Sequence, residues 1–147
     1  MREAVFSILG DIRGTSVLDL FCGTGALAIE ALSRGAAEAT LVDTAIGAAA
    51  RNAGDLELGS RARLVRGDAL AFLGGDQATY DLVFCDPPYR IARRIAPDLD
   101  KLLNPRLRAS GRLIAETATG EEMELSLPLL DERSYGATSV RIHGRSA

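Results

Sequence analysis

Val17-Leu18-Asp19-Leu20-Phe21-Cys22-Gly23-Thr24-Gly25-Ala26-Leu27-Ala28 reads as an apolar strand, a glycine turn and the start of a helix. Val17 to Phe21 is too short and too apolar for anything but a buried strand. Helical spacing then runs from Gly25 to Arg34, and Gly35 stands where a left-handed C′ residue ends a helix. Gly23 and Gly25 allow a tight turn and a close approach of the backbone to a ligand. The helix behind them offers free N–H groups at its N-terminus.

The same alternation continues outward. Residues 2–9 form a short amphipathic helix. Ala39 to Asp43 is a second strand, with an alanine-rich helix from about Thr44 to Leu58. Arg63 to Arg66 is a third strand with a helical turn at Ala69 to Leu73. Tyr80 to Cys85 is a fourth, with a helix from about Ile91 to Leu103, and Gly111 to Glu116 is a fifth. Strands separated by helices of this length require a parallel sheet covered on both faces. Leu129 to Tyr135 and Thr138 to His143 are separated only by Gly136-Ala137, so they form an antiparallel hairpin. The expected architecture is a doubly wound α/β sheet, mostly parallel, ending in that hairpin, in a single domain over residues 1–147.

Bulk properties exclude several classes. A chain of 147 residues can bury a core without disulfides or metals. No apolar run approaches the roughly 18 residues of a membrane span, and residues 1–10 lack a signal-peptide layout. A monomeric, cytoplasmic protein is expected. Cys22 and Cys85 lie in apolar stretches without metal-ligand spacing and read as buried thiols. A net charge of −3 and a pI near 5.2 do not describe a basic nucleic-acid coat. Lys101 is the only lysine, so the positive charge is nearly all arginine.

Asp43 ends the second strand, where a carboxylate can accept hydrogen bonds from two ribose hydroxyls. Gly23, Gly25 and Ala28 also satisfy the dinucleotide pattern G-x-G-x-x-G/A, which keeps an oxidoreductase open at this point. Asp19 puts a carboxylate beside the loop and suits a ligand amino group better than a pyrophosphate. Asp68, after the third strand, is placed to accept from an adenine amino group.

Asp86-Pro87-Pro88-Tyr89 follows the fourth strand and opens on the same carboxyl-end crevice. Two prolines fix the backbone and remove two N–H donors, so carbonyl oxygens and the Asp86 carboxylate dominate the loop. Rigid acceptors suit an exocyclic amino group, whose nitrogen becomes nucleophilic as its N–H hydrogens are accepted and it pyramidalises. Tyr89 offers a face for stacking an extracted base, worth about 1–3 kcal/mol. In-line displacement on a sulfonium methyl needs no metal, and positioning supplies most of the acceleration.

On these residues the chain resembles the class I methyltransferases, whose D-x-x-x-G-x-G loop matches Asp19 to Gly25 and whose strand-two acid matches Asp43. The amino-methylating branch adds (D/N)-P-P-(Y/F), matched by Asp86 to Tyr89. The chain is similar in particular to the bacterial small-subunit (16S) ribosomal RNA guanine methyltransferases, through 2–9, 18–27, Glu30-Ala31-Leu32-Ser33-Arg34-Gly35-Ala36, Arg66-Gly67-Asp68-Ala69, the Asp86 loop and Tyr135-Gly136. The resemblance implies a sheet order 3-2-1-4-5-7-6. It implies S-adenosyl-L-methionine held by Asp19, Phe21, Gly23, Gly25, Asp43, Asp68 and Ala69, and a guanine N2 gripped by Asp86, Pro87, Pro88 and Tyr89. The implied partner is ribosomal RNA or the assembling small subunit. Adenine N6 methylation of RNA or DNA is the other reading that the loop permits. Members of this family usually begin with a β-hairpin and a basic R-P-T-x-x-x-R-E-like lead-in, and this chain starts inside that motif at Met1-Arg2-Glu3. A shortened cofactor-binding core without turnover is therefore a further alternative.

Arg90, Arg93 and Arg94 follow the loop and read equally as phosphate contacts or as a solvated helix face. His143, the only histidine, is expected to be structural or at the surface, and Cys85 to pack inward.

Overall fold

The computed structural model describes residues 2–146; Met1 and Ala147, the ends of the expected domain, lie outside the described residues. The elements are α1 (Arg2–Leu9), β1 (Ser16–Leu20), α2 (Ala26–Ser33), β2 (Glu38–Asp43), α3 (Gly47–Asp55) and β3 (Ala62–Arg66). They continue as α4 (Ala69–Gly75), β4 (Tyr80–Cys85), α5 (Tyr89–Leu103), β5 (Leu107–Ala118), β6 (Leu129–Tyr135) and β7 (Thr138–Gly144). One seven-stranded sheet has the order β3-β2-β1-β4-β5-β7-β6. β1 runs parallel to β2 and β4, and β4 parallel to β5, while β7 is antiparallel to β5 and β6. The class is the one read from the sequence, and the order is the one that the resemblance implies.

Each face of the sheet buries its own cluster. Phe6 of α1 and Leu32 of α2 pack with Val17, Leu41 and Phe84 on one side. Leu73 of α4 and Leu99 and Leu103 of α5 pack with Leu18, Val83 and Leu113 on the other. Successive residues of a strand alternate between the two faces. β1, the centre of the sheet, is buried at every position, as a strand covered on both sides must be. Asp19 is the one ionisable residue in it.

The bounds of α3, α5 and β5 differ most from the sequence reading. α3 starts at Gly47, not Thr44, because the Asp43 carboxylate accepts the Ala45 N–H at 3.1 Å and holds the intervening residues as a turn. It ends at Asp55, just before Glu57 takes a left-handed φ of 52°. α5 starts two residues early, at Tyr89, since Pro88 accepts from Ile91 and Ala92 and acts as the cap. β5 extends to Ala118 because β7 pairs with it from Arg112 onward. His143 is buried in β7 with Nδ1 3.0 Å from the Leu127 carbonyl, a structural placement.

Gly25 shows how tightly the glycine turn is packed. Its φ is 81°, and a Cβ there would lie 2.8 Å from Leu41 Cδ2 and 3.3 Å from the Ala49 Cβ. Gly25→Ala combines backbone strain with overpacking and is expected to destabilise the fold by about 2–4 kcal/mol. A urea titration reads this as a lower midpoint with an unchanged slope.

Candidate active site

The crevice lies at the carboxyl ends of β1, β2, β3 and β4, where a doubly wound sheet opens. After Leu20 the chain turns through Phe21, whose φ of 58° is left-handed although the residue is not glycine. Backbone strain of this kind costs about 1–3 kcal/mol and gathers at functional positions. The turn is held by the Cys22 N–H on the Val42 carbonyl at 3.1 Å, and by the Gly23 N–H on Asp43 Oδ2 at 2.8 Å. One oxygen of Asp43 thus supports the loop, a role that spacing alone did not reveal. A Cβ on Gly23 would meet nothing within 4 Å. The absence of a side chain there keeps space open in the cavity rather than relieving a clash.

Two cavities open from this turn. The larger, about 450 Å³, lies on the α4 and α5 side and is lined by Phe21, Asp43, Asp68, Ala69 and the Asp86–Tyr89 loop. The smaller, about 350 Å³, lies on the α1 and α2 side and is lined by Arg2, Asp19, Phe21, Gly23, Asp86 and Glu116. Phe21 and Asp86 belong to both. Of the eleven residues singled out from the sequence, all but Gly25 line one or both of these cavities, and Gly25 shapes the turn from behind. Tyr89 is 66% exposed at the rim. Asp68 caps α4, accepting the Ala71 N–H at 3.0 Å, so one of its oxygens is already engaged.

The smaller cavity is strongly acidic. Asp19 is 3% exposed and accepts the Ala28 N–H at 3.3 Å. Burial pushes its carboxyl up to about 8, helped by the negative charges of Asp86, Asp43 and Glu116. Partial burial at the cavity edge lifts Asp86 to about 6, with Glu116 adding to the shift. Glu116 is raised as well, by burial. This crevice would draw in a ligand carrying positive charge.

Sequence reading did not single out Glu116. Its signal was an acid ending the apolar run Leu113-Ile114-Ala115, with the parity that faces Asp86. The left-handed Phe21 had no sequence signal, since only glycine announces that conformation. The arginines of α5 divide. Arg93 donates to the Gly120 carbonyl at 2.7 Å and pairs with Glu121, whereas Arg90 and Arg94 stay exposed. Cys22 and Cys85 are buried, and burial raises both thiols above their ordinary value, Cys22 to about 12.

Comparison with known proteins agrees with this fold. The family model described as Conserved hypothetical protein 95 matches residues 1–144. Ribosomal RNA small subunit methyltransferase D of Escherichia coli K12 is 42% identical over 160 residues, which takes in all of this chain and 77% of that protein. YlbH of Bacillus subtilis, named as a candidate rRNA methyltransferase, is 32% identical over 97% of this chain and 83% of its own length. The solved structure of yhhF from Escherichia coli, a candidate methyltransferase, superposes with a TM-score of 0.87 at 31% identity, covering 99% of this chain and 86% of that one. The chain therefore belongs to the Conserved hypothetical protein 95 family, the family of ribosomal RNA small subunit methyltransferase D.

Proposed function

We propose that this protein transfers a methyl group from S-adenosyl-L-methionine to the exocyclic N2 of a guanine in small-subunit ribosomal RNA. One observation carries the reading: Asp86, in the rigid acceptor loop, lines both the nucleoside-sized cavity and the acidic cavity beside the glycine turn. The name and the 42% identity of the Escherichia coli relative support the RNA substrate.

The residues fit this methyl donor. Each oxygen of Asp43 accepts one backbone N–H and keeps a further lone pair for ribose hydroxyls, Asp68 and Ala69 border the space for an adenine, and Asp19 faces the side that would take an amino group. The open space at Gly23 admits the chain linking these parts. When bound, the sulfonium supplies an electrophilic methyl. Asp86 and the Pro87 carbonyl would accept the N–H hydrogens of the target amine and aim its lone pair, and Tyr89 would stack on the base. The methylated amine is strongly acidic, and Asp86 is placed to take its proton. Arg90 and Arg94 are free for RNA phosphate. Among the described residues no helix is long and apolar enough to cross a membrane.

Labelled methyl transfer to unmodified small subunits, followed by nucleoside analysis, tests the reading. N2-methylguanosine is the expected product. N6-methyladenosine, or cofactor binding without any transfer, would reject it.

A further inference from the structure

The acceptor loop explains how an amino group is held but not why guanine rather than adenine is chosen, since both bases carry one. The two differ at the neighbouring ring nitrogen. On its Watson–Crick edge guanine presents N1–H beside N2–H₂, two donors in a row. Adenine presents N6–H₂ beside N1, a donor next to an acceptor. A flipped base is read along this edge, and a carboxylate with two acceptor oxygens matches guanine and repels adenine N1.

Asp86 is already committed to the amine, so a second acceptor is needed. β4 and β5 are paired in register with Cys85 opposite Ala115. The next residue on each strand is Asp86 and Glu116, which alternation turns to the same face of the sheet as Phe84 and Ile114. Both line the cavity of about 350 Å³. Glu116 therefore stands one strand further along the sheet from Asp86, on the side away from the glycine turn and Asp19.

Resting on the guanine-amino reading, we infer that Glu116 is the specificity-determining residue, its carboxylate accepting N1–H of the target and sharing the nearer N2–H with the Pro87 carbonyl while Asp86 serves the other N2–H. Adenine in the same pose would set its N1 lone pair against a carboxylate oxygen, with no donor between them. Burial disfavours charge on Glu116, and two donors from guanine offset that cost. Glutamine at the position keeps the size but replaces one acceptor oxygen by an NH₂, which opposes guanine N1–H and matches adenine N1.

The experiment maps the methylated nucleotide with the wild-type protein, then compares small subunits carrying guanine or adenine at that one position. Glu116→Gln is expected to lower the guanine-to-adenine ratio of kcat/KM by about 10- to 100-fold. Its Kd for S-adenosylmethionine, measured by calorimetry, should stay within about threefold of wild type. Glu116→Asp, which keeps the carboxylate, is expected to retain the guanine preference even where the overall rate falls. An unchanged ratio in Glu116→Gln would overturn the assignment, as would a parallel tenfold loss of cofactor affinity, which would place Glu116 against the cofactor. If the wild-type protein makes no N2-methylguanosine at all, the parent reading fails first, and the two failures are thereby told apart.

Discussion

Asp86→Ala is expected to reduce methyl transfer to small subunits by about 10²–10³-fold while S-adenosylmethionine affinity changes by less than about fivefold. The asymmetry follows from where Asp86 sits. It touches the edge of both cavities, but the groups suited to the nucleoside are Asp43, Asp68 and Ala69, which the substitution leaves alone. What is lost is an acceptor that matters most as the amine pyramidalises, so kcat should fall more than KM rises. The pH profile offers a second signature. Partial burial raises Asp86 to about 6, and its ionised form is the stronger acceptor and the only one able to take the amine's proton. Activity should therefore be lost as pH falls through about 6 and level off above it. In Asp86→Asn that acid limb should disappear from a profile already lowered throughout. Wild-type rates in Asp86→Ala would remove Asp86 from the chemistry and leave the loop as a rigid turn.

The parts of this molecule that sequence discloses are those where one residue type has one physical use. Apolar runs between helical spacings gave the parallel sheet. Gly136-Ala137 gave the hairpin, and Gly35 the end of α2, where its φ is 98°. Pro87-Pro88 marked a rigid loop at a strand end. What stayed hidden depends on partners distant in the chain. Asp43 looks like a ribose acceptor from its place after β2, yet half of its carboxylate supports Gly23, 20 residues earlier. Asp68 looks like a base contact and is also the cap of α4. Glu116 became visible only once β5 was set in register beside β4. Carboxylates serve loop support, helix capping and ligand contact alike, and only the assembled sheet distinguishes the uses.

Asp19→Asn should make the ligand-free protein more stable and a poorer binder. Asp19 is buried in the central strand with the Ala28 N–H as its partner, and its carboxyl is raised from an ordinary 3.8 to about 8, chiefly by burial. With the folded value above the unfolded one, the native state binds more protons between these limits. Stability from this group is complete below about pH 4, falls as pH rises towards 8, and is flat beyond. Asparagine can still accept from Ala28 and carries no such cost. The variant should gain on the order of 3–5 kcal/mol over wild type at pH 8, with the difference vanishing near pH 4. Denaturant titrations at the two pH values read this directly, and equal stability at pH 8 would show that Asp19 bears no burial penalty. The compensating loss is in binding. An ammonium group facing Asp19 would restore its charge, so cofactor binding at pH 7 should release close to one proton from the wild-type protein. Calorimetry in buffers of different ionisation enthalpy would detect that proton. In Asp19→Asn the release should disappear and affinity should fall by about 10- to 100-fold, the worth of a hydrogen bond to a charged group. A proton count that is the same in both proteins would move the amino group away from β1.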